Sequence, residues 1–362
     1  MKDEGIYWLS FSVFPGVGPS KFNLLLKHFR SAKSAWNSSN QDFKKILGES
    51  LALKFDKFRN EFDPFEYARK LKEKDVWFLT LDDKNYPKLL GKITNPPFVL
   101  YGKGKLDFLN EKAIGVVGTR RTTQYGREVT RLLTSELVDA GFTIVSGLAI
   151  GIDAVSHKTS IENGGKTIAV LGCGVDCCNP STNQSLYNSI IQSGSCIVSE
   201  VPLGNAPTRG LFPARNRIIA GLSLGILVTE GAEDSGSLIT ADYAFKNNRK
   251  VFAVPGPITS NLSKGPYKLI SQGAKLITNI KDILEELGIN SRPRIKNKDL
   301  RIKKGETKEE EKIMEVLENE DLYFDEIARR TKINSSKLGS ILSMMEIKGI
   351  LKNLGNGEYK LL

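Results

Sequence analysis

Between residues 209 and 217 the chain gathers three guanidiniums, an amide and a flat aromatic ring: Arg209, then Phe212-Pro213-Ala214-Arg215-Asn216-Arg217. Forked guanidinium donors pair with phosphate oxygens, and an aromatic beside them offers its face to an unpaired base, which a duplex would hide. The chemistry is a grip on single-stranded nucleic acid. The same residues also read as an ordinary loop entering a helix, with Phe212 anchored in the core and the arginines solvated. The stretch by itself leaves both readings open.

A second candidate lies upstream. Gly115-Val116-Val117-Gly118-Thr119-Arg120 reads as a strand followed by a glycine turn into a helix. In a doubly wound fold such a turn sits at the carboxyl edge of the sheet, where free N–H groups and a helix dipole attract an anion, and Arg120 adds a charged fork. Neither GxGxxG nor GxxxxGK[ST] occurs here, so neither a dinucleotide nor a nucleoside triphosphate is indicated, and no cofactor is expected. Three more glycine-bearing turns follow strands, at 146–153, 171–174 and 235–241. Ser146, Asp153 and His157 invite comparison with a catalytic triad. However, Asp153 and His157 are one helical turn apart and no nucleophile elbow surrounds Ser146, so capping and helix packing suit them better.

The elements needed to position these turns are visible in the pattern. Apolar runs at 113–117, 142–145, 166–171, 196–199, 225–229 and 251–254 alternate with helical periodicity at 125–138, 152–162, 185–192 and 238–247. Continuous apolar strands joined by helices predict a parallel, doubly wound, Rossmann-like α/β sheet covered on both faces. Residues 1–75 read as a small helical domain, in which Phe14-Pro15-Gly16-Val17-Gly18 has the look of a helix-hairpin-helix turn or of a plain interhelical turn. The core is expected over 76–290, a basic Pro-containing linker over 291–306 and a winged helix over 307–362, with helices at 309–317, 324–330 and 335–348 and a hairpin about Gly355-Asn356-Gly357.

The chain of 362 residues carries 52 Lys and Arg against 41 Asp and Glu, a formal charge of +11, which favours polyanionic partners. The linker is the most basic segment, with seven Lys and Arg against two Asp and Glu, whereas residues 307–362 have nine against eleven. No apolar run is long enough for a membrane span, and no signal peptide is evident. Four cysteines do not make a disulfide framework, and Cys173, Cys177, Cys178 and Cys196 lack the knuckle spacing of a metal site, so a reducing cytoplasm and no metal are expected.

Taken in order, Gly115–Arg120 (GVVGTR), Ser146–His157 (SGLAIGIDAVSH), Ala169–Gly174 (AVLGCG), Phe212–Gly221 (FPARNRIIAG), Ser235–Ala241 (SGSLITA) and Val251–Gly256 (VFAVPG) resemble the DNA processing protein A family, DprA or Smf. The resemblance extends to the helical N-terminal segment and the winged helix. It implies an extended Rossmann-like core that binds single-stranded DNA, forms a homodimer and helps load the recombinase RecA onto coated strands in natural transformation. Residue by residue, it implies that Arg120, with Gly118 and Thr119, forms the phosphate-binding turn, and that Arg209 and Phe212 supply the basic and base-stacking parts of a pocket sharing its motif with Arg215, Asn216 and Arg217. Many members carry a second basic residue after Phe-Pro, where this chain has Ala214.

Two other functions compete. A nucleotide phosphoribohydrolase has a related fold and a PGGxGTxxE turn, but this chain places Thr240 where the glutamate would stand, so glycosidic cleavage lacks its acid or base. A winged-helix transcriptional regulator would read duplex DNA with the 335–348 helix, which offers only Lys337 and Lys348 against Glu346. The reading is therefore a non-catalytic binder.

Overall fold

The computed structural model of the chain describes residues 3–208, 210–289, 307–318, 320–347 and 350–361. By contact density it comprises two compact units, residues 1–294 and 295–362.

The first unit is built on a nine-stranded sheet. In chain order the strands are β1 (Val76–Thr80), β2 (Val99–Gly104), β3 (Ala113–Val117), β4 (Thr143–Ser146), β5 (Thr167–Val170), β6 (Cys196–Ser199), β7 (Gly225–Val228), β8 (Lys250–Ala253) and β9 (Lys275–Leu276). Their spatial order is β1-β2-β6-β5-β4-β3-β7-β8-β9. Strands β3 to β9 pair in parallel, while β2 runs antiparallel to β6 and to β1. Every residue of β3 to β7 is buried, as expected for short apolar runs covered on both faces. The covering helices are α7 (Gln124–Asp139), α8 (Ile152–Glu162), α9 (Gln184–Gln192), α10 (Leu211–Leu222), α11 (Gly236–Lys246), α12 (Lys264–Ser271) and α13 (Ile280–Glu286).

Six helices precede the sheet: α1 (Asp3–Val13), α2 (Pro19–Phe29), α3 (Ala32–Trp36), α4 (Asn40–Leu47), α5 (Glu49–Glu61) and α6 (Pro64–Glu73). Their core is aromatic. Phe11 stacks on Phe55 with ring centroids 5.2 Å apart and meets Trp36 edge-on at 5.5 Å. That cluster continues through Phe98 and Tyr101 into Ala169 and Leu171, so the helices and one face of the sheet share a single buried core. The turn at 14–18 joins α1 to α2 with Phe14 and Val17 buried, Gly16 at φ 102° and Lys21 Nζ donating to the Gly16 carbonyl at 3.1 Å.

The second unit is a winged helix. It consists of α14 (Lys308–Leu317), β10 (Leu322–Tyr323), α15 (Phe324–Thr331), α16 (Ser335–Ile347), β11 (Leu351–Gly355) and β12 (Glu358–Leu361), with the strands ordered β10-β12-β11. The Thr307 hydroxyl caps α14 by accepting from the Glu310 N–H, a contact worth about 1 kcal/mol. Ile313, Leu317, Ile327, Leu338, Leu342 and Met345 fill its core.

Candidate nucleic-acid interface

From β3 the chain passes through α7 to β4 on one side, and on the other it returns through α10 to β7. Strand order thus reverses between β3 and β7, and in open α/β sheets a crevice opens beyond the carboxyl ends of the strands at that place. A pocket of about 430 Å³ lies there. The turn after β3, the turn into α8 and the first residues of α10 and α11 line it, so several helix N-termini meet at one opening and favour an anion.

The β3 turn is clamped from both sides. Thr119 N–H donates to the Glu230 carbonyl at 2.7 Å, and the Thr119 carbonyl accepts from Ile152 N–H at 3.2 Å. A Cβ on Gly118 would stand 2.6 Å from Ile152 and 2.7 Å from the Glu230 carbonyl, so only glycine lets the turn lie this close. The Glu230 carboxylate is buried and accepts from both the N–H and the hydroxyl of Thr123, at 3.0 and 2.5 Å, which fixes the start of α7. Held in this frame, Arg120 is exposed, and its guanidinium carbon lies 5.9 Å from the centre of the Phe212 ring. A cation above a half-buried ring presents a charge for a phosphate beside a face for a base.

Phe212 is on the first turn of α10, against Gly172, where a Cβ would approach its ring to 3.3 Å. Arg215, one turn on, is buried. Its Nη1 donates to the Val170 carbonyl at 2.5 Å, and it fills a slot left by Gly147, whose Cβ would fall 2.0 Å from that nitrogen. Burial lowers the Arg215 guanidinium from its usual value, while nearby Asp153 opposes the shift; an arginine in this position remains a cation. Burial likewise pushes the Asp153 carboxyl up, against the pull of Arg215. Asp153 accepts from Gly147 and Ala149 N–H groups at 3.1 and 3.4 Å and is the single carboxylate among the lining residues. Asn216 also lines the pocket, its Nδ2 donating to the Gly236 carbonyl at 3.2 Å across to α11.

Not every residue expected from sequence joins this group. Arg217 turns away: Nη1 and Nη2 each lie 2.6 Å from a Glu200 carboxylate oxygen, and Nε donates to the Asn95 carbonyl at 3.1 Å. A mostly buried guanidinium engaged at all three nitrogens ties α10 to the loop after β6 and has no donor fork left for DNA. Its grouping with the site is corrected on that ground. Arg209 lies outside the described residues, as do the linker over 291–306 and Lys348. Glu230 and Thr123 were not singled out by sequence; the one available signal is an acid placed directly after an apolar strand.

The Ser146, Asp153, His157 set is structural. Ser146 Oγ donates to the Val116 carbonyl at 2.7 Å. His157 Nε2 accepts from Leu148 N–H at 3.3 Å, and Nδ1 meets Thr167 Oγ1 at 2.6 Å. Because that hydroxyl donates to the Ile144 carbonyl at 2.8 Å, the ring proton sits on Nδ1. Burial pushes the imidazole down to about 3, so it is neutral and committed at both nitrogens. The four cysteines are free, and no metal-holding group of His, Cys, Asp and Glu occurs among the described residues. No described helix is long and apolar enough to cross a membrane.

Fold and pocket together describe a doubly wound α/β protein whose switch-point crevice sets an exposed guanidinium beside a flat ring and lacks the glycine pattern of a dinucleotide site. Residues 77–288 match the family model described as DNA recombination-mediator protein A, and residues 301–357 match the DprA winged helix domain. The chain belongs to the DprA/Smf family. It is 42% identical over 291 residues to Protein Smf of Synechocystis, spanning 79% of this chain and 73% of that one. It is 44% identical over 217 residues to DNA processing protein DprA of Bacillus subtilis, spanning 60% and 73%. The crystal structure of DprA from Streptococcus pneumoniae superposes with a TM-score of 0.69 at 34% identity, covering 79% of this chain and 98% of that one. A structure describing the single-stranded DNA binding mode of DNA processing protein A from Helicobacter pylori gives 0.53 at 32%, covering 58% and 95%.

Proposed function

We propose that this protein binds single-stranded DNA in the switch-point pocket and acts, without catalysis, as a recombination mediator in the processing of incoming DNA. The observation that carries this reading is the exposed Arg120 guanidinium standing 5.9 Å over Phe212, in a pocket whose single carboxylate is buried beside Arg215. A phosphate meets Arg120 and the helix starts, and its base lies on Phe212. Gly118, Thr119, Arg215 and Asn216 complete the proposed site, Arg215 as a fixed charge beneath it, and Arg209 is assigned to it from the sequence resemblance. Likeness to the Helicobacter pylori protein, whose structure is described by its single-stranded DNA binding mode, supports the same ligand.

Two kinds of contact separate in experiment. Arg120→Ala removes a phosphate contact, so affinity falls and the slope of log K against log salt flattens by about one unit. Phe212→Ala removes stacking, costing about 1–3 kcal/mol with the slope unchanged. Folded variants that both bind like the parent would refute the site.

Pairing two such pockets on one strand would raise avidity without new contacts, and we propose a cytoplasmic homodimer that helps load RecA. Light scattering at twice the 40.0 kDa chain mass, and faster RecA assembly on strands coated with single-strand binding protein, would accord with this. A monomer at micromolar concentration, or no change in assembly rate, would contradict the corresponding part.

A further inference from the structure

Three large apolar side chains stand in solvent along the same carboxyl edge of the sheet that holds the pocket. Ile150, in the turn after β4, is 45% exposed; Ile239, on the first turn of α11 after β7, is 38% exposed; and Ile258, in the loop after β8, is 86% exposed. Single exposed apolar residues are ordinary. These three differ in being arrayed along one functional edge. The strands that these segments follow are β4, β7 and β8, with β3 and its Arg120 turn between the first two, so the strand ends from β4 to β8 span three strand spacings or roughly 15 Å.

The segments that carry Ile150 and Ile258 are fixed by local structure. Leu148 adopts φ 57° and Gly151 φ 87°, and a Cβ on Gly151 would lie 2.3 Å from the Thr119 carbonyl, so the Ile150 turn is pinned to the Arg120 turn. A left-handed leucine is a strained choice at a turn that displays an isoleucine to water. Ile239 itself lines the pocket. Around Ile258, Tyr125 Oη donates to the Pro255 carbonyl at 2.5 Å, Tyr267 Oη donates to the Gly256 carbonyl, and Ser260 N–H donates to the Pro257 carbonyl at 3.0 Å. An apolar group presented on a fixed loop loses little freedom when it is covered.

We propose that Ile150, Ile239 and Ile258 form an apolar track on which bases of the bound strand lie, so that the strand crosses the sheet edge from β4 towards β8. This rests on the single-strand reading above and adds to it a path, a length and a base contact. Apolar contact with base faces is indifferent to sequence and is unavailable to a duplex, whose bases are stacked on one another. The neighbouring pocket and the intervening Arg120 turn favour nucleic acid over a protein as the occupant.

The test titrates the full chain and its Ile150→Ser, Ile239→Ser, Ile258→Ser and triple variants with a single-stranded oligonucleotide and with an abasic strand of equal length. Light scattering and an unfolding midpoint are recorded for each. Every single substitution is expected to weaken binding to the normal strand by roughly three- to tenfold at unchanged salt slope, and the triple variant by more. Binding to the abasic strand is expected to be weak and insensitive to the substitutions. Parental affinity in a folded triple variant would overturn the track, as would an equal loss on both strands. A change of oligomeric state with single-strand affinity retained would also overturn it, giving the isoleucines to a protein contact. If Arg120→Ala weakens binding while the isoleucine variants do not, only the track fails; if Arg120→Ala is also without effect, the underlying reading fails.

Discussion

Arg215 lies beneath the pocket with Nη1 2.5 Å from the Val170 carbonyl, Arg217 grips Glu200 on the far side of α10, and Arg120 stands in solvent over Phe212. Equal charges thus have three duties, set by burial and partner. His157 shows burial acting on a titratable group. Its folded value of about 3 is below the ordinary imidazole value of about 6.5, so between these the unfolded chain binds the extra proton. Its contribution is complete above pH 6.5 and is lost progressively towards pH 3, at up to about 1.4 kcal/mol per pH unit. The raised Asp153 carboxyl acts in the opposite sense, so the whole protein's slope is shallower. Urea unfolding between pH 4 and 7 should therefore show a flatter pH dependence for His157→Gln than for the parent. Parallel curves would mean that the imidazole is not held neutral in the fold.

At the scale of elements, the turns are governed by glycines that leave room for a neighbour. Gly147→Ala would set a Cβ 2.0 Å from Arg215 Nη1 and drive the guanidinium off the Val170 carbonyl. Overpacking of this kind costs about 1–3 kcal/mol, and DNA affinity should drop with it, both read from urea unfolding and titration of one sample. Parental values for both would show that Arg215 does not depend on the slot. The six apolar runs expected to form the parallel sheet all do so, two with the expected ends and four displaced by a single residue, because strands buried on both faces leave an uninterrupted apolar signal. The antiparallel pair β1 and β2 went unread: Val76–Thr80 and Val99–Gly104 are separated by a proline-rich stretch that hides their pairing. Of the residues expected from sequence, Arg120, Phe212, Arg215 and Asn216 line one pocket. That Arg217 is taken by Glu200 was not legible, since an ion pair spanning 17 residues leaves no local pattern.

Over the whole molecule, a basic chain places its candidate grip on one edge of a large sheet, while the winged helix is the segment with more acids than bases. Electrostatics alone would draw any nucleic acid to such a protein; the proposed stacking on half-buried Phe212 is what would require an unpaired base. The most direct measurement is a titration of the pure protein with a single-stranded oligonucleotide and its matched duplex across a series of salt concentrations. Tighter binding of the single strand is expected at every salt, with affinity for both forms falling as salt rises and a preference that persists once the electrostatic share has been screened. Equal affinity for the two forms throughout the series would contradict it.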